Sequence, residues 1–92
     1  MKVRRVDLPA GQWTQLWPDG ERVYGVINTD VGAAVIKEQE GTAETWGWPL
    51  AAAPVKRGEG GVLMFPPSTA ETMNTAFKGY SGDGTTLVVL QP

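Results

Sequence analysis

Few residues in this sequence could carry chemistry, and their types limit the reactions available. Histidine and cysteine are both absent from the 92 residues. The chain therefore lacks the usual general base at neutral pH, any thiol nucleophile and the common zinc ligand sets. We expect no catalytic residue, no cofactor and no metal site, so the sequence predicts a protein that is not an enzyme.

One pair of carboxylates has a spacing that could serve acid–base chemistry. Glu38 and Glu40 lie two residues apart, so on a strand they would share a face, as in a glycosidase with two carboxylates. A domain this small leaves little room for a substrate cleft with a buried acid. We favour a solvated strand end that runs into a turn at Gly41, and keep an enzyme using this pair as a third hypothesis.

The four tryptophans fall into two pairs. Trp13 and Trp17 lie on either side of Gln15, and on a strand all three side chains would point to one face, which predicts packing in the core or an interface. Trp46 and Trp48 lie in a segment with glycine and proline. There they would either fold back over the core or be presented outward, as a protein-binding hot spot or a stacking platform for sugar rings.

The elements that must position these residues are short. Twelve glycines and seven prolines interrupt runs of β-branched and aromatic residues, which is typical of an all-β protein. The predicted strands cover residues 3–8, 13–17, 22–28, 33–38, 61–65, 75–80 and 85–91. We predict one domain, residues 1–92, with about seven short strands in a small antiparallel β-sandwich or jelly-roll-like barrel.

The connections carry further predictions. Residues 17–20 and 81–84 have turn composition, and the second turn predicts a hairpin between the last two strands. A capping-box pattern at Ser68 and Glu71 predicts one short helix near 68–75. Residues 40–60 look like a long excursion with little regular structure, of a kind that is usually functional or ordered by a partner.

Several predicted strands are apolar on both faces. Residues 23–27, 33–36 and 87–90 place apolar side chains at successive positions. In a two-layer sandwich one face of each sheet looks away from the core and should be polar unless something covers it. The pattern indicates either a binding partner or a covering segment of the chain itself.

The charge distribution excludes other classes of function. The net charge is −2, whereas binding to nucleic acid needs clustered lysine and arginine. The one basic cluster, Lys2, Arg4 and Arg5, is interpreted either as an arm that reaches an acidic neighbour or as a charged edge strand that prevents aggregation. No apolar run resembles a signal peptide or a membrane span, so we expect cytosolic synthesis without export.

The order of short motifs resembles a group of small β-sandwich virion proteins of tailed bacteriophages that decorate or cement the head. The matching pieces are Val6-Asp7-Leu8, Ala10-Gly11-Gln12-Trp13-Thr14-Gln15-Leu16, Val26-Ile27-Asn28-Thr29, Gly32-Ala33-Ala34-Val35, Gly60-Gly61-Val62-Leu63 before Pro66, Ala76-Phe77-Lys78-Gly79-Tyr80 and Gly82-Asp83-Gly84-Thr85-Thr86-Leu87-Val88-Val89. Residues 38–59 depart from the family pattern. The pieces cover the chain thinly from end to end.

The resemblance implies a structural protein on the capsid surface of a virion, made in the host cytoplasm. Its partner would be the major capsid protein or another virion protein, and the protein would form a homo-oligomer such as a trimer, without binding nucleic acid or membrane. The candidate partner-binding residues are Lys2, Arg4, Arg5, Trp46 and Trp48. The alternative is a carbohydrate- or receptor-binding β module that uses exposed tryptophans.

Overall fold

The computed structural model describes residues 2–38, 47–65 and 76–92. Eight strands lie in these ranges: β1 (Lys2–Leu8), β2 (Thr14–Trp17), β3 (Gly25–Asn28), β4 (Ala34–Glu38), β5 (Trp48–Leu50), β6 (Val62–Met64), β7 (Phe77–Tyr80) and β8 (Thr85–Gln91). Seven of them coincide with the predicted strands, and β5 is additional. The prediction of an all-β fold is confirmed.

The strands form two antiparallel sheets of four strands each. Sheet one has the order β1-β8-β3-β6, and sheet two has the order β2-β7-β4-β5. Of the described strands, β4 and β5 are the sole consecutive pair within one sheet, so the chain passes repeatedly between the two layers. The architecture is the predicted small antiparallel sandwich.

The core lies between the two sheets and is built from both. Its buried residues are Leu8, Leu16, Trp17, Val23, Val26, Ala34, Ile36, Leu50, Phe77, Leu87 and Val89. At its centre Trp17 and Phe77 are stacked with ring centroids 4.9 Å apart, and Phe65 meets Phe77 edge to face at 5.9 Å. Such aromatic pairs add to the free energy gained from their buried area.

The predicted hairpin at residues 81–84 is wrong. Gly84 has a φ of +82°, which suits a tight turn, but β7 belongs to sheet two and β8 to sheet one. Ser81 holds the turn between the layers: its carbonyl accepts from the Gly11 amide at 2.9 Å, and its hydroxyl donates to the Ala33 carbonyl at 2.6 Å. These contacts direct the chain across the sandwich instead of back along its own sheet.

The predicted common face of Trp13, Gln15 and Trp17 is also wrong. Gln15 pairs with Lys78 and Trp17 with Phe77, so the register shifts between them. Leu16 is the extra residue of a β-bulge, which breaks the period-two alternation of side chains. Trp17 is consequently buried in the core, while Trp13 lies on the outside of sheet two.

The segment between β4 and β6 is partly regular. The prediction of little regular structure fails at β5, where Ala34, Val35 and Ile36 pair with Leu50, Pro49 and Trp48. The predicted helix near 68–75, with Ser68 and Glu71, lies outside the described residues. In the described ranges, no helix has the length and apolar character needed to cross a bilayer.

Candidate functional site

The described part of the chain holds no cluster of side chains typical of a metal centre. Within residues 2–38, 47–65 and 76–92, no group of three or more potential metal ligands converges. Every buried side-chain nitrogen or oxygen there has a hydrogen-bond partner. Glu38 is exposed at the end of β4, and its predicted companion Glu40 lies outside these ranges. The outward surfaces of the two sheets are therefore the places to look for a function.

The buried side chain of Asn28 makes four hydrogen bonds and has a structural role. Its amide nitrogen donates to the carbonyls of Gly32 at 2.8 Å and Leu50 at 3.2 Å. Its side-chain oxygen accepts from the Thr85 hydroxyl at 2.8 Å and from the Asp30 amide at 3.2 Å. Asn28 thus ties β3 and β8 of sheet one to β5 of sheet two, and with these bonds made it has little capacity left for a ligand.

The outward face of sheet one carries two rows of side chains set by the strand register. In the first row Val3 pairs with Leu90, Leu90 with Gly25, and Gly25 with Met64. Residues directly opposite in antiparallel strands point to the same side of a sheet. The Met64 side chain lies over Gly25, where a Cβ atom would collide with its sulfur. This row is apolar from one edge of the sheet to the other.

The second row is nearly as apolar as the first. Arg5 pairs with Val88, Val88 with Ile27, and Ile27 with Val62. We call the combined surface the valine–methionine face; its residues are Val3, Ile27, Val62, Met64, Val88 and Leu90. Val3, Val62 and Met64 are 62%, 42% and 54% exposed.

The next row, toward the end of β1, is polar. Asp7 pairs with Thr86 and accepts a hydrogen bond from its hydroxyl at 2.8 Å. Arg5 and Asp7 thus place charged groups beside the valine–methionine face. An apolar centre with a polar rim that includes arginine is the usual composition of a protein-binding surface.

The predicted basic residues all lie in β1, an edge strand of sheet one that pairs with β8 along its whole length. They do not share one face. Arg5 belongs to the outward row, whereas the Arg4 guanidinium donates a hydrogen bond to the Leu16 carbonyl of sheet two. Lys2 pairs with Gln91. The cluster therefore lies on an edge strand, as one of its two interpretations expects. Binding of a partner by these residues stays a prediction.

Of the predicted tryptophan pair, Trp48 lies within the described residues. Trp48 in β5 stacks on Phe77 with centroids 5.7 Å apart and is 39% exposed. One side of its ring therefore covers the aromatic core. Trp46 lies outside the described residues, so its role as an anchor stays a prediction.

The outward face of sheet two carries a cluster that the sequence did not predict. Lys37 and Lys78 are directly opposite each other on β4 and β7. Their Nζ atoms lie 4.6 and 5.1 Å from the centroid of the Trp13 ring, within the range of a cation–π interaction. Tyr80 adds a second ring 5.3 Å from Trp13. We call this surface the tryptophan–lysine face, with Trp13, Val35, Lys37, Pro49, Lys78 and Tyr80.

A shallow groove of about 410 Å³ continues this face beyond Tyr80. Its walls come from the start of β4, the ends of β5 and β7 and the residues next to them. The lining residues are Ala33, Ala34, Val35, Pro49, Leu50, Ala51, Tyr80, Ser81 and Gly82. Because most of these side chains are small and apolar, the groove would accept an apolar side chain more readily than a charged one.

Sequence reasoning missed Met64, Val62 and the lysine pair as surface features. The alternation of Val62, Leu63 and Met64 was a signal, since it places the first and third residues on the face opposite to the second. No local pattern marks the lysine pair, because the pairing of β4 with β7 brings the two residues together.

Comparison of the chain with protein-family models, with curated proteins and with solved structures finds no match.

Proposed function

We propose that this chain is a non-enzymatic structural protein that binds other proteins through the valine–methionine face. The observation that carries the proposal is an apolar surface that crosses all four strands of sheet one and includes the exposed side chains of Val3, Val62 and Met64. Leaving apolar area in water costs about 25 cal/mol per Å² relative to burying it. A contiguous apolar patch of this kind marks a binding surface in monomeric proteins.

The extent of the face favours many weak contacts over one strong contact. Four strands span three inter-strand spacings, or about 14 Å, and a standard interface buries about 800 Å² per partner. By themselves, the apolar rows would cover only part of an interface of that size. A protein that binds a repeating lattice needs only modest affinity per site, because neighbouring copies act together.

Within this class we propose a bacteriophage virion protein that decorates or cements the capsid by binding the major capsid protein. The support is the resemblance of its motifs, which fall on every described strand except β5 and on the segments between them. The protein would act on the capsid surface of the virion, as a homo-oligomer such as a trimer.

Co-sedimentation with capsid shells that lack this protein tests the proposal. The shells would come from the structural genes encoded beside this chain. The wild-type protein should sediment with the shells at a fixed stoichiometry, and Val62→Glu should weaken binding at least about tenfold because it buries an unpaired charge. Val55→Glu is the matched control, since Val55 is exposed but lies outside the strands of both sheets.

Three results would count against the proposal. A wild-type protein that does not sediment with the shells would overturn the assignment to the capsid. Equal binding by Val62→Glu and the wild type would overturn the assignment of the contact to the valine–methionine face. A gene neighbourhood made of metabolic enzymes, with no capsid, portal or protease gene, would also count against a virion protein.

A carbohydrate- or receptor-binding module is the second candidate function. It is supported by the exposed part of Trp48 at the edge of sheet two, where one side of the ring is held by Phe77. A glycan array probed with the wild type, Trp46→Ala and Trp48→Ala tests it. Specific binding that both variants lose would favour this candidate, whereas an array without specific binding would eliminate it.

A further inference from the structure

We propose that the free edge of β1 binds a second copy of this chain, with the two β1 strands antiparallel about a two-fold axis at Val6. In the described part of the chain, β1 lies at one edge of sheet one and pairs with β8 on its other side. Residues 2–5 and 7 of this strand are exposed. An open edge strand presents unpaired backbone groups to which another strand can bond.

The pairing of β8 shows which backbone groups of β1 lie at the free edge. The Thr29 amide donates to the Thr86 carbonyl at 3.0 Å, so the backbone of Thr86 is directed toward β3. These groups alternate in direction along a strand, and the next residue, Leu87, therefore bonds to its partner Val6 in β1. Along β1 the same alternation leaves the N–H and C=O groups of residues 3, 5 and 7 at the free edge.

The charges on β1 favour one register over its neighbours. Arg5 and Asp7 both lie on the outward side of sheet one, two residues apart. In a pair centred on Val6, Arg5 of each copy lies opposite Asp7 of the other, which gives two ion pairs. A pair centred on Arg5 would place the two Arg5 side chains opposite each other, an unfavourable arrangement for like charges. A pair centred on Arg4 would place Arg5 opposite Val3 and form no ion pair.

The same register fits the inward side of β1 and its end. Val6 packs against the core and is half-buried, so the two Val6 side chains would cover each other at the axis. Each Arg5–Asp7 pair would exchange both of its backbone hydrogen bonds. Beyond it Val3 would lie opposite Pro9, which has no N–H to donate, and the pairing would end there. Because a two-fold contact closes on itself, the edge charges would permit one dimer and still prevent open-ended aggregation.

Pairing at β1 would join the two copies of sheet one into a single eight-stranded sheet. Residues opposite each other in antiparallel strands point to the same side, so both valine–methionine faces would lie on one side of that sheet. Eight strands span about 33 Å, against about 14 Å for one copy. A dimer of this kind would offer two binding faces at once to a lattice and so raise the avidity. That consequence rests on the proposed function, whereas the dimer itself does not.

Sedimentation equilibrium tests the dimer. Concentrations of about 10 μM to 1 mM suit it, since a small interface gives a weak complex, and the wild type should approach a dimer at the upper end. Arg5→Asp and Asp7→Arg should each weaken dimerisation at least about tenfold, because like charges would then lie opposite each other twice. The double variant should restore the dimer, because it exchanges the two charges and keeps the net charge of −2. Lys56→Asp is the matched control, since it makes the same charge change in the exposed loop between β5 and β6.

Several outcomes would overturn this proposal. They are a wild type that stays monomeric or forms a trimer, equal dimerisation of the wild type and the two single variants, an equal loss in Lys56→Asp, and a double variant that is folded by circular dichroism but monomeric. Val62→Glu separates this proposal from the proposed function. Val62 lies in β6, at the opposite edge of sheet one, so this variant should dimerise like the wild type while its shell binding is lost.

Discussion

The two outward faces of the sandwich differ in how far the apolar residues of their strands are exposed to solvent. On sheet one, the second faces of β3 and β8 join Val3, Val62 and Met64 in an open apolar surface. On sheet two, Val35 lies between Tyr80 and Pro49, and Trp13 folds over the neighbouring lysines. A strand that is apolar on both sides therefore has two outcomes, an open apolar surface or partial cover by neighbouring side chains.

The largest effect we expect comes from truncating the core that the two sheets share. Trp17→Ala deletes a fully buried ring that stacks on Phe77 and meets Phe65. Its cost should be about 3–5 kcal/mol of unfolding free energy, measured by urea denaturation. Binding through the valine–methionine face should be lost with the fold. The same truncation at the surface, Trp13→Ala, should cost much less, and equal losses would contradict the placement of the two rings.

A smaller loss is expected from Asn28, which links the sheets that carry the two faces. Asn28→Ala leaves the carbonyls of Gly32 and Leu50 and the hydroxyl of Thr85 without their partner in a buried site. Because these buried groups would lose their hydrogen-bond partner, we expect the free energy of unfolding to fall by about 2–3 kcal/mol. Thr29→Ala removes one partly buried hydrogen bond and serves as the control. If the two variants were equally stable in urea, the linking role of Asn28 would be excluded.

The strand β6 places two neighbouring residues on opposite sides of sheet one. Leu63 packs against the core, whereas its neighbour Met64 lies on the valine–methionine face. Leu63→Ser should lower the free energy of unfolding by about 2 kcal/mol. Met64→Ser should lower it by less than about 1 kcal/mol, because an exposed side chain buries little apolar area on folding. Met64→Ser should weaken partner binding more than Leu63→Ser does. Thermal denaturation and co-sedimentation of the same two variants check both halves.

The smallest effect concerns two adjacent arginines on opposite sides of β1. Arg4→Ala removes a hydrogen bond to the Leu16 carbonyl and should cost about 0.5–1 kcal/mol. Arg5→Ala leaves that bond intact and should change stability by less than about 0.5 kcal/mol. Its effect should instead appear in the salt dependence of partner binding. Equal stability losses would show that Arg4 does not join the two sheets.

The fold was largely predictable because its signals are local. Seven strands follow from β-branched runs bounded by glycine and proline, and their number and shortness indicate a sandwich or a jelly-roll-like barrel. The strand β5 was missed because Trp48-Pro49-Leu50 is three residues long and contains proline, which edge strands tolerate but which usually argues against a strand. The hairpin and the common face of Trp13 and Trp17 failed because the crossing at Ser81 and the bulge at Leu16 depend on contacts between distant segments.

The candidate site was less predictable than the fold. The sequence indicated that some strand faces lacked an obvious cover, but the identity of the outward face depends on which strands pair. Lys37, Lys78 and Trp13 meet because β2, β7 and β4 are neighbours in sheet two. Such a cluster follows from the order of strands in a sheet, which short motifs do not specify.

The central claim is that the valine–methionine face is the docking surface, and oxidation of Met64 tests it most directly. Met64 is more than half exposed in the free chain, and oxidation of methionine to its sulfoxide depends on access to the sulfur. Mass spectrometry would follow peroxide oxidation of free and shell-bound protein, with acetyl-methionine-amide as an internal reference. We predict that shell binding slows Met64 oxidation at least about fivefold, as expected when an interface excludes solvent. Oxidation at the same rate in bound and free protein would contradict the claim.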